Sequence, residues 1–275
     1  MGRPLERPGR PAQAALAPAV TLLLTQNSEL RDLGVWNWTL PAWVVELSDG
    51  RKLNVCPSAG ACASACYALN GTYLFPASRA AHLDNLRQAM HPAFVTRMGH
   101  ELRRRRYRAT GIPHLPDLDR AHLTPEVTRL LDTGSPLVRI HDSGDFFAEG
   151  YLRAWLTIAA VTPHALFYAY TKEVGLLERV GREAPPNFLW VYSLGGRQDG
   201  RVDRETMRHA DVFPTAAALA EAGYYDQEAH DALCVLAPSL RIGIVANRIP
   251  HYQRRQAGRT FSGMQADRHK LPVDR

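Results

Sequence analysis

Leu137-Val138-Arg139-Ile140-His141-Asp142-Ser143-Gly144-Asp145-Phe146 is a short apolar run followed by five polar or glycine residues, and a helical stripe stands directly behind it. A run of four residues stopped by turn chemistry reads as a buried strand. The spacing of Tyr151, Leu152, Trp155, Leu156 and Ala159 reads as a helix packed on that strand. The unit then recurs. Leu166 to Tyr170 is strand-like, Val174 to Val180 helical, and Phe188 to Tyr192 strand-like; Arg204 to His209 with Val212-Phe213 forms a fourth repeat, and Leu240 to Val245 is a last strand. Starts near 137, 166, 188, 212 and 240 lie 22 to 29 residues apart, long enough for a crossover helix each time. The expected class is therefore α/β, with a partial parallel βα barrel, because strong strands are too few for a complete barrel of eight. A doubly wound sheet is the alternative.

Upstream, Val35 to Leu40, Trp43 to Leu47 and Arg51 to Val55 read as extended segments, the last two joined by the turn Ser48-Asp49-Gly50. A helix is expected from Ser78 with Leu83, Leu86 and Met90 inward, and another after Pro92 with Phe94, Val95, Met98 and Leu102 inward. Residues 110–136 read as a connection holding one amphipathic helix around Leu118 to Leu131. Three parts follow: a disordered tail over 1–11, one domain over 12–247, and a basic tail over 248–275. The most apolar stretch, Ala12 to Leu24, is broken by Pro18 and has no small-residue cleavage site behind it. A cytoplasmic protein without a membrane span is expected.

Of the four cysteines, Cys56, Cys62 and Cys66 fall within eleven residues, and Cys234 comes 168 positions later. A chain this long with four cysteines and no export signal does not read as a disulfide framework. The gaps of five and three residues, with no histidine close by, also lack the paired spacing common in zinc sites. Three thiolates on one loop of small residues suit a four-iron four-sulfur cluster with one iron left open. Zinc, or cysteines that merely pack, remain the other readings. A fourth thiolate from Cys234 would close the cluster and favour a structural or electron-transfer role.

Cys56-Pro57, Cys62 and Cys66-Tyr67-Ala68, then Val138 to Phe146, then Phe167-Tyr168-Ala169-Tyr170-Thr171-Lys172 stand in that order. Together they resemble the phage and actinobacterial "gene product 88" family over about residues 35 to 195. That family is similar to the radical S-adenosylmethionine (SAM) enzymes. The resemblance implies a partial βα barrel, a [4Fe–4S] cluster on Cys56, Cys62 and Cys66, and reductive cleavage of SAM fed by an electron donor. It also implies that Tyr67 stands against the adenine and that Ser143-Gly144-Asp145 meets the methionine amino group. This loop differs from the radical-enzyme pattern, whose gaps are three and two, and Ala65 stands where those enzymes carry an aromatic residue.

In a βα architecture the loops after the strands converge on one face. His141, Asp142, Ser143 and Asp145 follow one such strand and Lys172 the next, so a pocket facing the cysteine loop is expected. There Asp142 or Asp145 would hold an ammonium and Lys172 a carboxylate or phosphate, with His141 as a further titratable group. The plain alternative for Asp145 is a helix cap. The balance of 33 Lys and Arg over 27 Asp and Glu gives +6, a lean toward anionic partners. Arg103 to Arg106 and Arg108 around Tyr107, and Arg248, His251, Arg254, Arg255 and Arg259 around Tyr252, suit phosphates and stacked bases. The alternative to the enzyme is thus a non-catalytic nucleic-acid-binding protein whose iron–sulfur or zinc site holds the loop together.

Overall fold

The computed structural model describes residues 23–270 apart from 48, 105, 106, 108–117, 247 and 248, and leaves out the side chains at 251, 269 and 270. The expected tail over 1–11, most of Ala12 to Leu24, and Arg105, Arg106, Arg108 and Arg248 lie outside the described residues.

Nine strands are described: β1 (Val35–Trp38), β2 (Val44–Glu46), β3 (Lys52–Asn54), β4 (Leu137–Ile140), β5 (Leu166–Thr171), β6 (Phe188–Ser193), β7 (His209–Phe213), β8 (Tyr225–Asp226) and β9 (Arg241–Val245). β2 and β3 form an antiparallel hairpin, and the other seven make one sheet in the order β1-β4-β5-β6-β7-β9-β8. Every pairing in that sheet is parallel.

Because the strands are buried on both faces, their side chains divide by the period of two into two core layers. Val138, Ile140, Phe167, Ala169 and Phe188 pack on one face, under the helices Phe94–Leu102, Glu149–Val161 and Val174–Val180. Leu137, Leu166, Tyr168 and Val191 pack on the other, under Pro125–Asp132 and Leu233–Leu236. The crossover helices after β4 and β5 therefore lie on the same face, and strand order advances one way from β1 to β7. That winding is the one a βα barrel uses, and no reversal marks a doubly wound sheet within that run.

Among the described residues the sheet is nonetheless open and closes into no barrel. β1 and β8 are its two edges. Thr25 bridges Asn37 on the outer edge of β1, β8 is only two residues long, and the second face is filled by Val127, Leu130, Leu233 and Leu236. A further difference lies between β6 and β7. Arg204 to Arg208 form a turn fastened by Asp203, which accepts from Glu205 N at 3.0 Å and Thr206 Oγ1 at 2.6 Å, and His209 already begins β7. Asp203 is among the residues that turn the chain back on itself by bonding two positions onward.

The basic tail expected over 248–275 is folded where it is described. The helices Pro250–Gln256 and Phe261–Lys270 are joined through Ala257 and Gly258, both with left-handed backbone (φ 49° and 71°). They pack on the cysteine loop. No helix among the described residues is long and apolar enough to cross a membrane.

Candidate functional site

Parallel strands deliver their carboxyl ends to one edge, and the cysteine loop lies across that edge. Asp145 N donates to Val55 O (2.8 Å) at the end of β4, Cys62 N to Gly195 O (3.1 Å) after β6, and Arg197 N to Ser58 O (2.8 Å). Between them Ser58 N and Oγ donate to the two oxygens of Glu173 after β5, at 2.7 and 2.9 Å. The loop is short-turned helix over Ala61–Ala65, as expected of Ala and Ser with no bulky side chain to bury. From above, Gln265 Oε1 accepts Ala61 N (2.7 Å), Arg268 Nη1 donates to Gly60 O (2.8 Å), and Tyr252 Oη donates to Cys66 O. Gly60 is required here. A Cβ on it would lie 2.1 Å from Gln265 Oε1.

Cys56, Cys62 and Cys66 are half-buried free thiols, and Cys56 Sγ accepts Trp43 N at 3.5 Å. Burial pushes the Cys56 thiol up to about 12, with the charges of Asp145, Cys66 and Cys62 adding to the shift. Burial also raises Cys66, Cys62 adds to it, and Lys172 works the other way. Charge effects thus link Cys56 with Asp145, and Cys66 with Lys172. Cys234 is elsewhere, fully buried in the second core layer, where burial and Asp231 raise it and Tyr170, Arg139 and Arg208 stand near. Among the described residues no three His, Cys, Asp or Glu side chains converge as a metal-ion site.

The other expected site residues share this edge, but their side chains are engaged within the chain. Asp145 does not cap a helix: Oδ1 accepts Phe146 N (2.8 Å) and Thr171 Oγ1 (2.6 Å), and Oδ2 accepts Lys172 N (2.8 Å). It clasps the end of β4 to the end of β5. Burial raises its carboxyl despite those bonds. Lys172 Nζ donates to Ser193 O (2.8 Å), Ser193 Oγ (2.7 Å) and Leu194 O (2.9 Å), which uses all three ammonium protons. Asp142 Oδ2 accepts Tyr73 Oη (2.5 Å), and Oδ1 is 3.7 Å from Arg139 Nη1. Tyr67 Oη donates to Asp142 O, so the tyrosine expected against an adenine is spent on the backbone. Ser143 ties its carbonyl to Leu40 N (2.9 Å).

His141 turns away from the loop. Its backbone is left-handed (φ 70°), a region histidine enters more readily than most residues, and its N and that of Asp142 both donate to Trp38 O. Nε2 meets Tyr151 Oη at 2.9 Å and the ring packs edge-on to Phe146. Burial, with Arg139 nearby, drives its pKa down to about 3, so the ring is neutral. Tyr107 and Tyr252 are also not stacking platforms. Tyr107 is buried with its ring 4.6 Å from Trp36 and its hydroxyl on Glu101 (2.6 Å), and Tyr252 is buried on the cysteine loop.

Two groups escape the sequence reading. Arg139 lies inside β4, where the pattern gave only a strand, and it pairs with Asp231 (3.1 Å) under Tyr170. Burial opposes its charge, and Asp231, Tyr67 and Asp142 outweigh that and hold the guanidinium well above its ordinary range. Glu173, one residue beyond the quoted block, is the second; its place directly after a strand was the available signal. Burial, then the Asp145 charge, raise its carboxyl to about 7. A folded-state value above the unfolded one means that the native chain holds a proton the unfolded chain releases. Stability from Glu173 is therefore greatest below about pH 4.5 and falls as pH climbs toward 7. Glu173→Gln should flatten this decline, read as urea midpoints from pH 4.5 to 7.5; an unchanged slope would sink the assignment.

No curated protein and no solved structure matches the chain. The family model described as gene product 88 matches residues 21–271, taking in the sheet, the cysteine loop and the helices that cover it, and the chain belongs to that family.

Proposed function

We propose that Cys56, Cys62 and Cys66 hold a [4Fe–4S] cluster and that the protein is a one-electron enzyme of radical-SAM-like kind, fed by an electron donor. The observation that carries the reading is three half-buried thiols on one short loop laid across the carboxyl edge of a parallel sheet, with Cys234 buried in the second core layer. The donor set suits the group: thiolates are the usual ligands of iron–sulfur clusters, and three of them leave one iron for a ligand. When bound, such a cluster supplies single electrons.

The chain's own residues hold the loop ready. Asn54 Oδ1 accepts Cys56 N (2.9 Å) and Trp43 N points at the Cys56 sulfur, so that side chain is oriented before anything binds. Burial favours the protonated thiols of Cys56 and Cys66, so loading releases protons and weakens as pH falls. The C-terminal helices engage the loop backbone at Gly60 O, Ala61 N, Ser64 O and Cys66 O. Support for SAM itself is thinner, because Tyr67, Asp142, Asp145 and Lys172 already have partners within the chain. The second reading is a nucleic-acid-binding protein with a structural iron–sulfur or zinc site, favoured by the exposed arginines of the C-terminal helices.

The test is anaerobic purification with iron, sulfide and zinc analysis and an absorption spectrum. About four irons and four sulfides per chain are expected, lost with the brown colour when any of the three cysteines becomes Ala and kept in Cys234→Ala. Stoichiometric zinc without iron would overturn the proposal.

A further inference from the structure

Beside the cysteine loop, on its solvent side, lies an open cleft of about 330 Å³ lined by Ser64, Arg255, Arg259, Met264, Asp267 and Arg268. The cleft takes Arg255 from the helix Pro250–Gln256, Arg259 from the connection after it, and Met264, Asp267 and Arg268 from the helix Phe261–Lys270. Two of these arginines reach the loop: Arg255 Nη1 donates to Ser64 O and Arg268 Nη1 to Gly60 O (2.8 Å). Arg259 donates to Asp267 Oδ2 (2.9 Å) and to the carbonyls of Gln256 and Arg255 at the end of the preceding helix.

A guanidinium offers five N–H donors, and each loop contact recorded for Arg255 and Arg268 takes one. Both side chains stay exposed. Three guanidinium charges against one carboxylate leave two positive charges net in the cleft. A phosphate monoester matches that figure, being close to doubly negative near neutral pH, and its oxygens fit the forks of Arg. A single carboxylate would leave one charge unmatched. The volume belongs to the small-ligand range.

We infer that this cleft binds the phosphate of a small phosphorylated molecule and brings the group it carries alongside the cysteine loop. Ser64 stands between Cys62 and Cys66, so a phosphate held there lies next to the segment that carries the thiols. The inference does not depend on what the cysteines hold. It requires only the two helices and the loop.

The test is calorimetric titration of the full chain with adenosine monophosphate and with inorganic pyrophosphate, against adenosine and a single-stranded DNA oligonucleotide. Both phosphates should bind and adenosine should not. Arg259→Gln should weaken pyrophosphate about tenfold, the worth of one charge-assisted contact. Asp267→Asn removes the carboxylate that competes for Arg259, and should tighten binding severalfold, a gain that damage to the fold cannot produce. Adenosine binding as well as its monophosphate, or an Asp267→Asn protein that binds no tighter, would overturn the inference. So would an oligonucleotide that binds far more tightly than either phosphate with steep salt dependence, since the patch would then be reading a polynucleotide backbone.

Discussion

Arg139→Leu is expected to cost about 3–5 kcal/mol of folding stability, the range for breaking a buried ion pair by removing one partner. The guanidinium is enclosed, 3.1 Å from Asp231, 3.7 Å from Asp142 and 5.1 Å from the centre of the Tyr170 ring. Without it two carboxylates face each other across a dry layer, and Tyr168, whose hydroxyl is 2.5 Å from Asp231 Oδ2, is drawn into the disturbance. Urea unfolding read by far-ultraviolet circular dichroism measures the loss. The companion Arg139→Leu with Asp231→Leu should recover part of it, because removing both members of a buried pair costs less than removing one. A loss below about 1 kcal/mol, the worth of a solvated surface pair, would show that the cluster is not enclosed.

Asp145→Ala is expected to be comparably damaging, about 3–5 kcal/mol, and to act first at the cysteine loop. Hydrogen bonds to a charged group contribute about 1.5–3 kcal/mol each, and the carboxylate accepts three, from Phe146 N, Thr171 Oγ1 and Lys172 N. Solvent entering the gap recovers some of that sum. The backbone of Asp145 also holds Val55, one residue before Cys56, so loosening this corner should raise thiol reactivity of the loop. Labelling rates with a thiol reagent under native conditions check this. Unchanged labelling beside a lowered urea midpoint would confine Asp145 to the sheet.

Much of the architecture was legible because period-two and period-3.6 apolar patterns report directly which side of an element is buried. Val35 and Leu137 begin strands where expected, and Val174 to Val180 is the helix it was read to be. β8 was not legible, since a two-residue strand has no pattern to display. Its place outside β9 is a matter of pairing between distant segments. The C-terminal helices were missed for another reason. Phe261–Lys270 has Phe261 and Met264 but no apolar stripe beyond them, and polar groups help to dock it, Gln265 and Arg268 on loop backbone and Ser262 on Asp211, which hydrophobic periodicity cannot register. At the site, residue type and position after a strand brought Asp142, Asp145 and Lys172 to the right edge. They could not tell whether those side chains would face a ligand or one another. His141 shows the limit plainly, for its left-handed backbone sends the ring into the core.

The helices that close over residues 60–66 are made about 200 residues after the loop they cover. Gln265 meets Ala61 across 204 positions of sequence, and Arg268 meets Gly60 across 208. At synthesis rates of roughly 5–20 residues per second, the ribosome needs roughly 10–40 seconds between making the loop and making its cover. Throughout that interval the hairpin and thiols have been made while the helices over them have not. Once Phe261–Lys270 docks, Ala61 N and Gly60 O are engaged, so any later rearrangement of the loop has to break those two bonds first.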